Sequence, residues 1–498
     1  MKKIIASFLS LSLLIASCNF SAPSVTHNSI QISSPLQTLW ADRTIFKSGL
    51  VESEQHVLNE LKGASVYHLE FNIADDIYHV AGTEEVQYTN TETVSLNEVE
   101  FRLFPNILGG EMQVSNLQVD EQSATPKYGL ENSLMIVPLS KALEPQQSIV
   151  LHMDFKVTVP QSVDLNYGVL AYYDNVLALA HSYPMICVYN GEGWNAEIPS
   201  QDGDVTFSDA SFYIVQINAP KGLTLVTSGK RISLDEAGQI QSVDVASGPA
   251  RDFYLAASPN FEEVSQTLGE VTINSYANKA SMTGAKFASE VASHAIDIYS
   301  KRYAPYPYTE LDIVATPTLA LGIEYPGAIA IADRIYNVGS GSPTQKFMES
   351  TVAHEVGHQW FYNLVGNDQL DDPWLDEALA QFAALQYFTD RYGTDAADNF
   401  HSSLVGRWQR VSQEKIPIGL PVAKYKGDEY GAIVYGRGPL FFEALRNKIG
   451  VAVFDEFMKD YTETLSWKIS TPATLKALAE KRCACNLDMM FQEWVYHS

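Results

Sequence analysis

The sequence predicts an α+β chain of two folded units, an N-terminal antiparallel β-sheet domain followed by a mainly helical one. Three observations carry that reading. The length of 498 residues exceeds one ordinary domain. Apolar and polar residues alternate with period two between about residues 60 and 260, and helical spacing takes over afterwards. Hydrophobic residues at 46% and charged residues at 18% supply real cores.

The chain opens on Lys2 and Lys3, then an apolar run over residues 4–15 that leads through Ala16 and Ser17 to Cys18. A basic start, about a dozen apolar residues and small residues at the cut describe an export signal over 1–17. The run is too short to remain as a bilayer-spanning helix. Cys18 after aliphatic and small residues resembles a bacterial lipobox, in which the thiol is acylated and becomes the first mature residue. Two or three acyl chains give stable anchoring where one does not. The expectation is an exported protein of a bacterial cell envelope, held to a membrane by lipid on Cys18. Asn19 in place of an aspartate favours the outer membrane. Residues 18–59 then read as a tether and lead-in, rich in Ser, Asn and Pro at first and without periodicity.

Residues 60–260 read as the β domain. In "YHLEFNI", Tyr67, Leu69, Phe71 and Ile73 alternate with His68, Glu70 and Asn72, and "LHMDFKVTV" repeats the pattern from Leu151 to Val159. Turn residues punctuate such runs, as antiparallel sheets with one wet face require. Residues 261–498 read as the second unit. "GAKFASEVASHAIDIYSKRY" has helical spacing, and "ELDIVAT" is a short strand. Ser342 and Pro343 suit an N-cap and first turn, with the helix running to about residue 363; Asp372 and Pro373 open another that stops at Gly393. Of the remaining cysteines, Cys483 and Cys485 flank only Ala484, a poor spacing for a mutual bond, so free thiols are expected. The net charge of −26 excludes nucleic acid as a partner and is compatible with a cationic or amine-bearing one. Taken alone, it describes a solvated acidic surface.

"TVAHEVGHQW" at 351–360 holds the chemistry. Residues four apart share one helix face, about 6 Å apart along the axis, so His354 and His358 point two imidazoles at one ion. Glu355 is rotated about 100° away and is free to act as a base on water rather than as a ligand. Tetrahedral zinc needs a third protein ligand, and Glu377 follows His358 with 18 residues between them, in "DDPWLDEALAQF". The plain alternatives are two packed histidines and an acid that favours a helix N-terminus.

Spacing and residue types together resemble the zinc aminopeptidases typified by aminopeptidase N and the leukotriene hydrolases, gluzincin metallopeptidases whose signature is H-E-x-x-H, eighteen residues, then E. "LGIEYPGAIAI" is similar to the family's G-x-M-E-N strand, with Gly322 and Glu324 matching and Ile323 and Tyr325 replacing Met and Asn. "YGAIVYGRGPLFFEAL" matches the family's Tyr-x-Lys/Arg-Gly pattern through Tyr435, Arg437 and Gly438, with Tyr430 at a second family tyrosine. "CNLDMMFQEWV" looks like the family's short helical close.

The resemblance implies a thermolysin-like, mainly α catalytic domain over 261–498, without the large C-terminal helical domain of many members. It implies one zinc ion on His354, His358 and Glu377, with Glu355 as general base. Tyr435 would donate to the oxyanion, and Glu324 with Gly322 would bind the free N-terminus of a peptide. Many members carry a second amine anchor in the β domain, and here Ser182 and Tyr183 occupy the place where it is sought. An endopeptidase of the same fold is the alternative within the chemistry, and an inactive scaffold the alternative outside it.

Overall fold

A computed structural model describes residues 34–191 and 193–496. The signal segment, Cys18 and the first part of the tether lie outside them. Residues 34–59, part of the expected lead-in, form three short 3-10 turns, Pro35–Gln37, Thr44–Gly49 and Glu52–Asn59. They are packed rather than loose: Phe46, Leu50 and Val51 are buried, and Val51 N–H donates to the Pro307 carbonyl at 3.0 Å. Trp40 stacks on His68 with ring centroids 4.1 Å apart. His68 is therefore buried although it alternates as a polar residue of its strand.

The first unit is built on an eight-stranded sheet with two four-stranded sheets beside it. At the centre of the large sheet, Val66–Ile73 pairs antiparallel with His79–Thr89 and parallel with Ser211–Pro220. The parallel pair is the exception in a domain otherwise joined antiparallel. The alternating residues do what alternation predicts: Tyr67, Leu69, Phe71, Leu151, Met153, Phe155 and Val157 all enter one core.

The second unit begins with a five-stranded mixed sheet, in the order Phe261–Leu268, Val271–Asn278, Glu310–Thr316, Ala328–Ala332, Gly322–Tyr325. Gly322–Tyr325 is its edge. Helix α1 (Met282–Arg302) covers the sheet, and α2 (Pro343–Gly357), α3 (Glu377–Tyr392) and α4 (Thr394–Trp408) follow. Ser342 caps α2, its hydroxyl accepting from Gln345 N–H at 3.1 Å. Met348, Val352, Val356 and Trp360 form the buried stripe by which α2 is held.

Two expectations fail. Helix α2 stops at Gly357 rather than near residue 363. Beyond it the amides of Asn363, Leu364 and Val365 reach back five residues to the carbonyls of His358, Gln359 and Trp360, at 3.0, 3.2 and 2.9 Å. That is a widened turn, too loose to continue an α-helix. Cys483 and Cys485 are also joined, with Cα atoms 5.2 Å apart. Ala484 takes a left-handed φ of +48° at the end of its helix, which folds the chain back far enough for the two sulfurs to meet. Cys187 is free and buried. No helix among the described residues is long and apolar enough to cross a membrane.

Candidate metal and substrate site

Three elements converge on the site: the end of α2, the start of α3 and the edge strand Gly322–Tyr325. Helices α2 and α3 cross closely because Gly357 faces Ala380, where an added Cβ would stand 3.3 Å from the Ala380 Cα. That approach brings Glu377, the first residue of α3, to both histidines. His354 Nε2 lies 3.1 Å from Glu377 Oε2, His358 Nε2 lies 3.2 Å from His354 Nε2, and His358 Nε2 lies 3.4 Å from Glu377 Oε2. All three residues are buried.

These edges test the fit of a metal. Zinc with bonds of about 2.0–2.1 Å to its ligands spans tetrahedral edges of about 3.3–3.4 Å. The observed triangle is close to one face of such a tetrahedron. His358 Nδ1 must donate to the Phe361 carbonyl at 2.9 Å, since a carbonyl only accepts. In the neutral ring Nε2 then carries the lone pair that a metal takes. The donors fit one divalent ion, and a nitrogen-rich set with one carboxylate suits zinc. A second triad, Glu324, Glu355 and His358, also lies within 4.8 Å. It shares His358, whose one free nitrogen already faces the first triad.

Four carboxyl groups are buried here, those of Glu324, Glu355, Asp376 and Glu377. Burial drives the pKa of Glu355 well up, and Glu324 and Glu377 add repulsion that His358 only partly offsets. Burial raises Glu324 as well. Burial alone would raise Glu377, but hydrogen bonds from His354 and His358 outweigh it and hold this carboxylate well below the usual range. His354 is lowered by burial. For His358 burial is overcome by the neighbouring acids, Glu324 and Glu377 foremost, and its pKa rises. A cation on the three donors would relieve this crowding of negative charge.

Around the donors, Tyr435 lies on a π-helical turn, Ile433–Arg437, and its hydroxyl donates to Glu377 Oε1. Its ring meets Tyr430 edge-on at 5.6 Å, and Arg407 lies over it at 5.8 Å. Gly322 sits against Glu355, where an added Cβ would be 2.3 Å from the carboxylate. Ser182 and Tyr183 do not form an amine anchor: both are buried, and Tyr183 belongs to the β-domain core, its hydroxyl accepting from Phe253 N–H at 3.2 Å. They lie in a stretch, residues 177–185, that is buried throughout.

The β domain instead sends Asp204, partly buried, to the site. It faces Glu324, Glu377 and Asp376, and desolvation followed by those charges pushes its pKa well up. Gly203 lets this segment pass, since a Cβ there would stand 2.9 Å from the Tyr430 hydroxyl. Sequence reasoning also missed Gln369, whose amide nitrogen donates to Glu324 Oε1 at 3.0 Å and to Asp376 Oδ2 at 2.8 Å. Asp376 in turn accepts from Glu377 N–H at 2.7 Å through its other oxygen. Gln359 ties α2 to the turn after the edge strand, donating to Tyr325 O and accepting from Gly327 N–H, both at 2.9 Å. No motif marks Asp204 or Gln369; both come from irregular segments.

The chain thus combines a β-sheet unit with a mainly helical unit whose second helix carries H-E-x-x-H. Residues 287–494 match the peptidase family M1 domain. Among curated proteins the chain is similar to probable aminopeptidase 2 of Sulfurisphaera tokodaii, 26% identical over 56% of this chain and 37% of that protein. It is also similar to human endoplasmic reticulum aminopeptidase 2, 21% identical over 72% of this chain and 39% of the relative. The chain thus spans less than half the length of these relatives. Among solved structures, a variant of an M1 zinc metallopeptidase from Deinococcus radiodurans superposes with a TM-score of 0.64 at 18% identity. The match covers 87% of this chain and 95% of that one, which shows a shared fold.

One outcome follows from Gly322. Gly322→Ala should displace the Glu355 carboxylate by about an ångström and lower turnover about 10²-fold, as misplaced catalytic groups do. Zinc content, measured by elemental analysis, should stay at the wild-type level.

Proposed function

We propose that this chain is a zinc-dependent aminopeptidase that removes the first residue from peptides with a free N-terminus. The observation that carries the proposal is the triangle of His354, His358 and Glu377, with Glu355 and Glu324 buried beside it. Zinc, when bound, supplies a Lewis acid that polarises the scissile carbonyl and makes water acidic enough to attack near neutral pH.

The remaining work falls to the chain. Glu355, buried beside the donors, accepts the proton of the attacking water and delivers it to the leaving amine. Tyr435, on the rim of the donors, turns its hydroxyl from Glu377 to the oxyanion as the carbonyl carbon becomes tetrahedral. Glu324, fixed by Gln369, pairs with the substrate's α-ammonium. Asp204 faces Glu324 and supplies the second negative group for the same cation, in the role sought at Ser182 and Tyr183. Two acids beside one ammonium set the register so that the bond after the first residue meets Glu355. Lipid on Cys18 would keep this activity at a membrane surface of the cell envelope, a reading supported by the sequence around that cysteine.

Metal analysis should find one zinc per chain, removable by chelator with loss of activity. Glu355→Gln should keep the zinc and lose about 10²–10⁴-fold in kcat. A variant that stays active would remove Glu355 from the chemistry. Glu324→Ala should raise KM for aminoacyl amides about tenfold to a hundredfold, as loss of a charged hydrogen bond does, and Asp204→Asn should raise it less. Cleavage of N-acetylated peptides at the rate of free ones would turn the assignment to an endopeptidase. Cys18→Ser should move the protein from the membrane to the soluble fraction in cell fractionation, and retention in the membrane would argue against the lipid anchor.

A further inference from the structure

The metal ligand His358 is aimed by one bond, from its Nδ1 to the carbonyl of Phe361 at 2.9 Å. The next residue, Tyr362, has a φ of +136°. A bulky side chain adopts that region only where surrounding structure imposes it. The turn that carries the Phe361 carbonyl is therefore not self-supporting.

The constraint comes from two consecutive residues of the β domain. Arg251, 1% exposed, donates from Nε to the carbonyls of Tyr362 and Asn363 at 2.7 and 3.0 Å. Its Nη1 donates to the Ser208 carbonyl at 2.9 Å and its Nη2 to the Lys468 carbonyl at 2.8 Å. The guanidinium thus joins three separate stretches of backbone. Gly366, at the far end of the same turn, lies flat against it, since a Cβ there would stand 2.2 Å from Arg251 Cζ. Asp252 completes the grip, its Oδ2 accepting from the Tyr362 hydroxyl at 2.9 Å. His181 Nδ1 lies 3.6 Å from the same oxygen. Tyr362 is held at once by its carbonyl and by its side chain, both from the other domain.

We propose that Arg251 and Asp252 are positioning residues for the metal ligand His358. They hold the 361–366 turn so that the Phe361 carbonyl fixes the ring with Nε2 towards the ion. The β domain then tunes metal affinity, in addition to covering the cleft. This inference rests on the reading that the site takes zinc. A planar fork is needed, because a lysine ammonium brings the charge without reaching three backbone stretches.

The test is the zinc dissociation constant of the full chain, measured by competition with a chelating chromophore. It would be run for wild type, Arg251→Lys, Asp252→Asn and Tyr362→Phe, with circular dichroism and thermal melts of the metal-free proteins. Loss of groups that orient a ligand weakens metal binding about 10–100-fold. Arg251→Lys should fall in that range, and Asp252→Asn and Tyr362→Phe should weaken binding by smaller, similar factors. If Arg251→Lys does not fold, Tyr362→Phe, which removes one hydroxyl, decides the question. Variants that melt lower yet bind zinc as tightly as wild type would make the role structural and overturn the inference alone. A wild type that takes no zinc would overturn the proposed function, and this inference with it.

Discussion

The site depends on one unfavourable juxtaposition. Two imidazole nitrogens and a carboxylate oxygen occupy corners only 3.1–3.4 Å apart, inside a protein that buries further carboxyl groups around them. The crowded carboxyl groups repel one another, and burial denies them water. A divalent cation on the donors offsets that repulsion. Much of the surrounding architecture makes sense as the means of forcing such groups together.

That force is distributed. Gly357 lets two helices approach closely enough for Glu377 to reach the histidines. Gln369 separates Glu324 from Asp376 by donating one N–H group to each, and Asp376 spends its other oxygen on the first amide of the helix that carries Glu377. A chain of hydrogen bonds thus runs from the strand edge to the metal donor. Each acid in it is given a partner other than another acid, as buried charges require.

The β domain is part of the same construction. Its irregular segment carries Asp204 to the donors, and Arg251 and Asp252 close on the turn behind His358. The acidic site is completed by both units, with Asp204 facing Glu324. This also explains why Ser182 and Tyr183 are not at the cleft. Their segment is drawn into the β core by the aromatic cluster of Tyr67, Tyr183 and Tyr213.

Local regularities were legible in the sequence. Period-two alternation in "YHLEFNI" and "LHMDFKVTV" marked strands because a sheet face sorts residues by parity. The four-residue spacing of His354 and His358 marked one helix face because the helix repeat is 3.6. The eighteen residues before Glu377 marked a return of the chain, though not how close it would come. What tertiary structure alone decided are the contacts between distant or irregular segments. Asp204, Gln369 and Arg251 have no periodicity to announce them. The early end of the helix at Gly357 and the bond between Cys483 and Cys485 depend on backbone turns that composition does not encode. Sequence periodicity reports the environment of regular elements, whereas a group held by loops is placed only when every element around it has been packed.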